Sequence, residues 1–209
     1  MGVSQQIGDF KYGTILTDIR KYARFKPVTL AARLFSNTTF GQNQEQFFTQ
    51  QFIGFPALIR GYEYNSFLRS GQADAPGFNL YQLIGSKVAV ANFEIRLPFT
   101  GPEKLAAIES KFLFSDLNLF FDIGLAYDRD SKVAFRSSPR GIGSMRDPSN
   151  PNSTTLVPQY YERIPAMSAG ISLRVNVFGY LIAEPYLAMP FQRQDVKGGV
   201  FGVNISPGW

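Results

Sequence analysis

The sequence predicts an all-β protein: an antiparallel transmembrane β-barrel of about seven to eight meandering strands. Three observations predict it. Segments of roughly ten residues alternate apolar and polar side chains with a period of two, as half-buried strands do. Short and long connections alternate along the chain. The composition is rich in aromatics and glycine and poor in charge, with 20 Phe, 10 Tyr and 19 Gly among 209 residues, 44% hydrophobic and only 18% charged. Such a mixture favours strands and turns over helices.

Taken in order, 12–25 and 28–40 are the first strands, separated by a turn at Lys26 and Pro27. A long connection, 41–85, follows. Over 88–99 the odd positions Ala89, Ala91, Phe93, Ile95, Leu97 and Phe99 oppose Asn92, Glu94 and Arg96. A middle connection begins at Thr100, and 105–116 reads either as an amphipathic turn or as a short extra strand near 108–114. Over 117–128, Leu117, Leu119, Phe121, Ile123, Leu125 and Tyr127 oppose Asn118, Asp122, Gly124, Ala126 and Asp128. The connection 129–165 is rich in Pro, Ser and Asn and reads as a mobile loop. Strands at 167–177 and 181–191 flank a turn at 178–180, and the last strand carries Phe201, Val203, Ile205, Pro207 and Trp209 on one parity. Strands of this length suit a bilayer, which ~9–11 tilted residues cross; a soluble sandwich, the competing architecture, averages ~5–6. Alternating short and long connections match barrels with short periplasmic turns and longer external loops. The whole of 1–209 then forms one barrel domain, with external loops at about 41–85 and 129–165.

Composition also excludes chemistry. The chain has no His and no Cys, which removes histidine general bases, thiolate nucleophiles, disulfides and most zinc sites. No nucleophile elbow, phosphate loop or dinucleotide fingerprint is present. Neither a catalytic residue, a cofactor nor a metal is expected. The net charge of +5 is spread without a basic run, so a solvated basic surface is favoured over a nucleic-acid partner. There is no run of 18 apolar residues and no apolar segment at the N-terminus, and barrel strands need neither.

Three segments carry a family resemblance. The long loop contains Phe55-Pro56-Ala57-Leu58-Ile59-Arg60-Gly61-Tyr62, the next strand Phe93-Glu94-Ile95-Arg96-Leu97-Pro98-Phe99, and the following strand Phe120-Phe121-Asp122-Ile123-Gly124. With MSAGISLRVNVFG, a strand ending Met189-Pro190-Phe191, and the terminal GVFGVNISPGW, the chain resembles the bacterial surface-antigen family, the superfamily of outer-membrane barrel-assembly factors and two-partner secretion transporters.

The resemblance implies a non-enzymatic protein of the cell outer membrane that inserts or translocates proteins. It implies partners among membrane lipid, client proteins and periplasmic assembly factors. It also implies the C-terminal part of a larger, sixteen-strand barrel. It makes the Arg60-Gly61-Tyr62 tip a loop folded into the lumen against Glu94, Asp122 and Gly124. Both carboxylates lie on the polar parity of adjacent strands, where an arginine fork can reach them. Gly61 would let the backbone turn beneath the Arg, and Tyr62 would pack on the inner wall. The final strand, with Phe201, Val203, Ile205 and Trp209, becomes an assembly signal. Two other functions stay open: a passive structural or pore-forming barrel, and the barrel anchor of a larger enzyme.

Overall fold

The computed structural model describes residues 1–6, 11–42, 44, 49–63, 78, 80–101, 106–110, 114–135, 141–146, 154–159, 162–193, 196 and 198–207. Eight strands follow one another as an antiparallel meander. They are β1 (Gly2–Gln6), β2 (Tyr12–Phe25), β3 (Val28–Gly41), β4 (Lys87–Gly101), β5 (Phe114–Tyr127), β6 (Ala166–Val177), β7 (Leu181–Pro190) and β8 (Val200–Pro207). The long strands fall where the period-2 pattern puts them. Among the described residues no helix is long and apolar enough to cross a membrane.

The eighth strand is β1, not 108–114. Gly2–Gln6 has no apolar alternation, and what makes it a strand is its ladder with 12–16 of β2. Ile108–Glu109 pairs in parallel with Thr100 and Gly101 at the end of β4, and Phe114 already belongs to β5. The 129–165 connection contains paired strands of its own. Gly141–Arg146 pairs antiparallel with Thr154–Gln159, and Lys132–Val133 pairs in parallel with Glu162–Arg163.

Register fixes the two faces. Ala32, Phe93, Phe121 and Ala169 lie side by side across β3 to β6 on one face. Arg33, Asn92, Asp122 and Ser168 form the next row, on the opposite face. The first face is the exposed apolar one, with Phe93, Leu119 and Ile171 each about half exposed. The second is concave: Arg20 and Tyr22 of β2 line the same cavity as Asn204 and Ser206 of β8. The sheet therefore curls until its second and last strands face one lumen, as closing a barrel requires. Among the described residues no ladder joins β1 to β8.

The core sits inside this curl, at the end carrying the long connections. Ile53, Ile59, Tyr62 and Leu83 come from 41–85 and pack on Val88 and Val90 of β4, Ala126 of β5, Ile164 and Ala166. Gln51–Phe52 and Ile84–Gly85 pair at the neck of that connection. The loop thus returns to its own origin and sends 53–63 down into the lumen.

Candidate functional site

Residues 53–62 descend as a tight, largely apolar finger. Leu58 and Ile59 N–H groups both donate to the Phe55 carbonyl at 2.8 Å, and Phe52 meets Phe55 edge-on with ring centroids 5.2 Å apart. At its tip Arg60 is only 4% exposed. Buried charge is tolerated where it is paired and hydrogen-bonded, and here the pairing is extensive.

Arg60 Nε and Nη2 donate to Asp122 Oδ2 and Oδ1, both at 2.8 Å, and the Arg60 backbone N–H adds a third bond to Oδ2 at 3.2 Å. Nη2 also lies 3.1 Å from Glu94 Oε1, and Nη1 donates to Glu184 Oε1 at 2.9 Å. The guanidinium stacks on Phe120, 3.6 Å from the ring centroid. One cation thus joins the loop to carboxylates from three strands: β4, β5 and β7. The fork on Asp122 is the bidentate geometry that a lysine cannot supply.

The surrounding wall adds further hydrogen bonds, although the buried Asn92 Oδ1 and Ser168 Oγ have no partner among the described residues. Asn92 donates to Asp122 Oδ1 and to the Leu58 carbonyl, each at 2.8 Å. Ser172 donates to Glu184 Oε1 at 2.7 Å, and Arg96 holds Glu94 at 2.7 Å. Arg33 reaches the Ala57 carbonyl at 2.8 Å while bound to Asp18, and Arg193 reaches the Gly61 carbonyl at 2.8 Å.

The structure brings Arg60, Gly61, Tyr62, Glu94, Asp122 and Gly124 into one region of the lumen. Gly61 has φ +91°, which an L side chain rarely adopts. Tyr62 is fully buried, 5.7 Å from the Phe78 ring, and its hydroxyl donates to the Met167 carbonyl at 2.9 Å beside Gln192. Burial pushes the Tyr62 phenol up, so it remains a neutral donor. Gly124 faces Ile59.

Sequence reasoning missed Glu184 and Phe120. Both signals were present. Glu184 occupies the even parity of a strand whose odd residues Leu181, Leu187 and Met189 are exposed and apolar. Phe120 is an apolar residue on a polar parity, where it packs with Tyr186 and Ala188 and is covered by the Arg60 guanidinium.

Above the Arg60 cluster the lumen is apolar and filled by the loop; below it the lumen is open and basic. Among the described residues no group of His, Cys, Asp and Glu could hold a metal ion, and the three carboxylates here are engaged by arginine. The arrangement can hold a loop.

At the far end of the sheet, Phe201, Val203 and Ile205 of β8 point outward, between 51% and 71% exposed. Asn204 and Ser206 point inward. Trp209 lies outside the described residues.

Compared with known proteins, residues 1–205 match the family model of the Omp85 superfamily domain. No curated protein matches the chain.

Proposed function

The chain belongs to the Omp85 superfamily, and from that membership we propose that it handles client proteins at the outer membrane with a lumen held by the Arg60 loop. Members of the superfamily are non-enzymatic outer-membrane barrels associated with protein insertion and translocation, in general contact with membrane lipid and with client and assembly proteins. The chain is accordingly an outer-membrane β-barrel protein and not an enzyme. The finer reading treats residues 1–209 as one barrel domain, with 41–85 and 129–165 on the outer surface and the short turns in the periplasm. Its partners there are unfolded clients and periplasmic assembly factors. Phe201, Val203, Ile205 and Trp209 form the signal by which the barrel itself is assembled.

One observation supports this reading above the others: a loop rooted at one end of the barrel is fixed at mid-lumen by a cation shared among Asp122, Glu94 and Glu184. A passive pore gains nothing from a plug built so thoroughly. A protein that must open on demand does, because the ion pairs define one closed state from which it can be released.

The test uses the chain in liposomes. It should raise the yield of an unfolded outer-membrane barrel diluted from urea, read as heat-modifiable gel mobility, above that of empty liposomes. Equal yields would return the passive-barrel alternative. In the same liposomes Arg60→Ala and Asp122→Ala should each expose residues 49–63 to protease, and Arg60→Lys should do so partly. Breaking a buried pair costs ~3–5 kcal/mol. Unchanged cleavage in both Ala variants would mean that the cluster does not hold the loop.

A further inference from the structure

Below the Arg60 loop the lumen widens into a cavity of about 800 Å³ that opens at the short-turn end. Among the described residues four cations line it, Arg24, Lys26, Arg96 and Arg174, against one carboxylate, Asp116. Arg96 is held by Glu94 at 2.7 Å and Arg174 lies 3.6 Å from Glu184. Both of those carboxylates line the smaller cavity deeper in the lumen and not this one. Arg24 and Lys26 are exposed, and among the described residues no ion pair holds either.

These cations do not face lipid. Arg20, Tyr22 and Arg24 share the parity of β2 that lines the cavities, while Ile19 and Phe25, about three-fifths exposed, take the outward parity. A cleft with one sign of charge in excess concentrates the field and with it ions of opposite charge. The cations come from β2, the turn after it, β4 and β6, so they are distributed around a wall instead of converging on one point. Tyr22, Thr100, Ser115 and Asn176 stand between them as hydrogen-bonding groups.

We propose that this vestibule is a docking site for an acidic segment of a polypeptide entering from the short-turn end. Dispersed cations suit carboxylates spaced along a chain, and the interspersed hydroxyls and amide suit its backbone. A lone phosphate would need convergent donors. The volume falls in the range of ~300–1,000 Å³ that holds a ligand of several groups. The finger carrying Arg60 closes the inner end, so the segment enters and leaves by the same mouth until the loop moves. Only the source of the segment, a client protein, rests on the function proposed above; the binding itself does not.

The experiment measures fluorescence anisotropy of a labelled hexaglutamate peptide with the full chain in neutral detergent micelles. The peptide should bind, hexalysine should not, and binding should weaken steeply between low and high salt as screening shortens. Arg24→Glu with Lys26→Glu should weaken it by roughly tenfold or more, since each attraction becomes a repulsion. Lys87→Glu with Lys132→Glu changes the net charge equally at the opposite end and should leave it unaltered, which controls for charge alone. Heat-modifiable mobility verifies that each variant is folded, and Arg24→Gln serves in place of the double reversal if that chain does not fold. Equal binding by the vestibule and control variants would overturn the proposal. So would displacement of the peptide by inorganic phosphate at the same concentration, the result expected of a free-anion site. Failure of either kind leaves the liposome insertion assay standing as a separate measurement.

Discussion

A Cβ added to Gly124 would lie 2.3 Å from Ile59 Cδ1 and 3.1 Å from Val90 Cγ2. Glycine there opens the space into which the loop residue before Arg60 descends, so the Phe-x-Asp-x-Gly segment works as a unit: Asp122 binds the charge and Gly124 admits its neighbour. Gly124→Ala should lower the urea midpoint followed by circular dichroism in micelles. Overpacking costs ~1–3 kcal/mol, and the flexible end of Ile59 puts this case toward the lower limit. Ile59→Val removes the colliding Cδ1. In the native chain that change should destabilise by ~0.5–1.5 kcal/mol; in the Gly124→Ala chain it should be neutral or restore part of the loss. Simple additivity of the two substitutions would mean that Ile59 and Gly124 do not compete for the same space. The sequence carried the identities of Arg60, Glu94, Asp122 and Gly124, because the motifs and parities name them. It did not carry the third carboxylate: Glu184 reaches Arg60 from a strand 124 residues away, and no local pattern states how far a sheet curls.

At the scale of elements, parity was legible and pairing was not. Every long strand declares its faces through alternation, so parity alone sets Leu117, Leu119 and Ile123 on the face opposite Asn118 and Asp122. Two-residue and polar strands declare nothing. Gly2–Gln6 exists because Gly2 faces Leu16 and Gln6 faces Tyr12, and 141–146 pairs with 154–159 within a stretch whose Pro, Ser and Asn content reads as loop. The outward face makes its own prediction. Leu119 is half exposed and lies between Ile95 and Ile171 in the middle of the sheet. Leu119→Arg should cost ~2–4 kcal/mol in liposomes if it stands near the bilayer midplane. Tyr81→Arg, at a position 73% exposed within Leu80–Leu83 on the long-loop end, should stay within ~0.5 kcal/mol. Folded fraction against urea distinguishes them, and equal losses would argue that the β5 outward face does not meet lipid.

For the whole molecule, the strand arginines and the apolar surface are arranged inside out. All five arginines of the eight strands, Arg20, Arg24, Arg33, Arg96 and Arg174, line the lumen cavities. The convex wall instead exposes Phe25, Phe93, Leu119, Ile171 and Phe201, from 48% to 71%. These residues come from β2, β4, β5, β6 and β8, so the apolar surface is a continuous band and not a local patch. Soluble monomers rarely expose apolar patches beyond ~300–600 Å², and a belt across so many strands exceeds that by its extent alone. The backbone adds a second reason. β1 covers only 12–16 of β2, and among the described residues 17–25 carry no strand on that side; an open edge in water templates pairing with other chains. The chain should therefore remain monodisperse in detergent micelles and aggregate when detergent is removed, as sedimentation velocity would record. A stable detergent-free monomer would require the band to be buried by rearrangement. The lumen would then have to turn outward, exposing Asp122 and Arg60 to water and dissolving the loop's attachment. The same measurement therefore bears on the membrane face and on the Arg60 cluster together, because one curl of one sheet creates both.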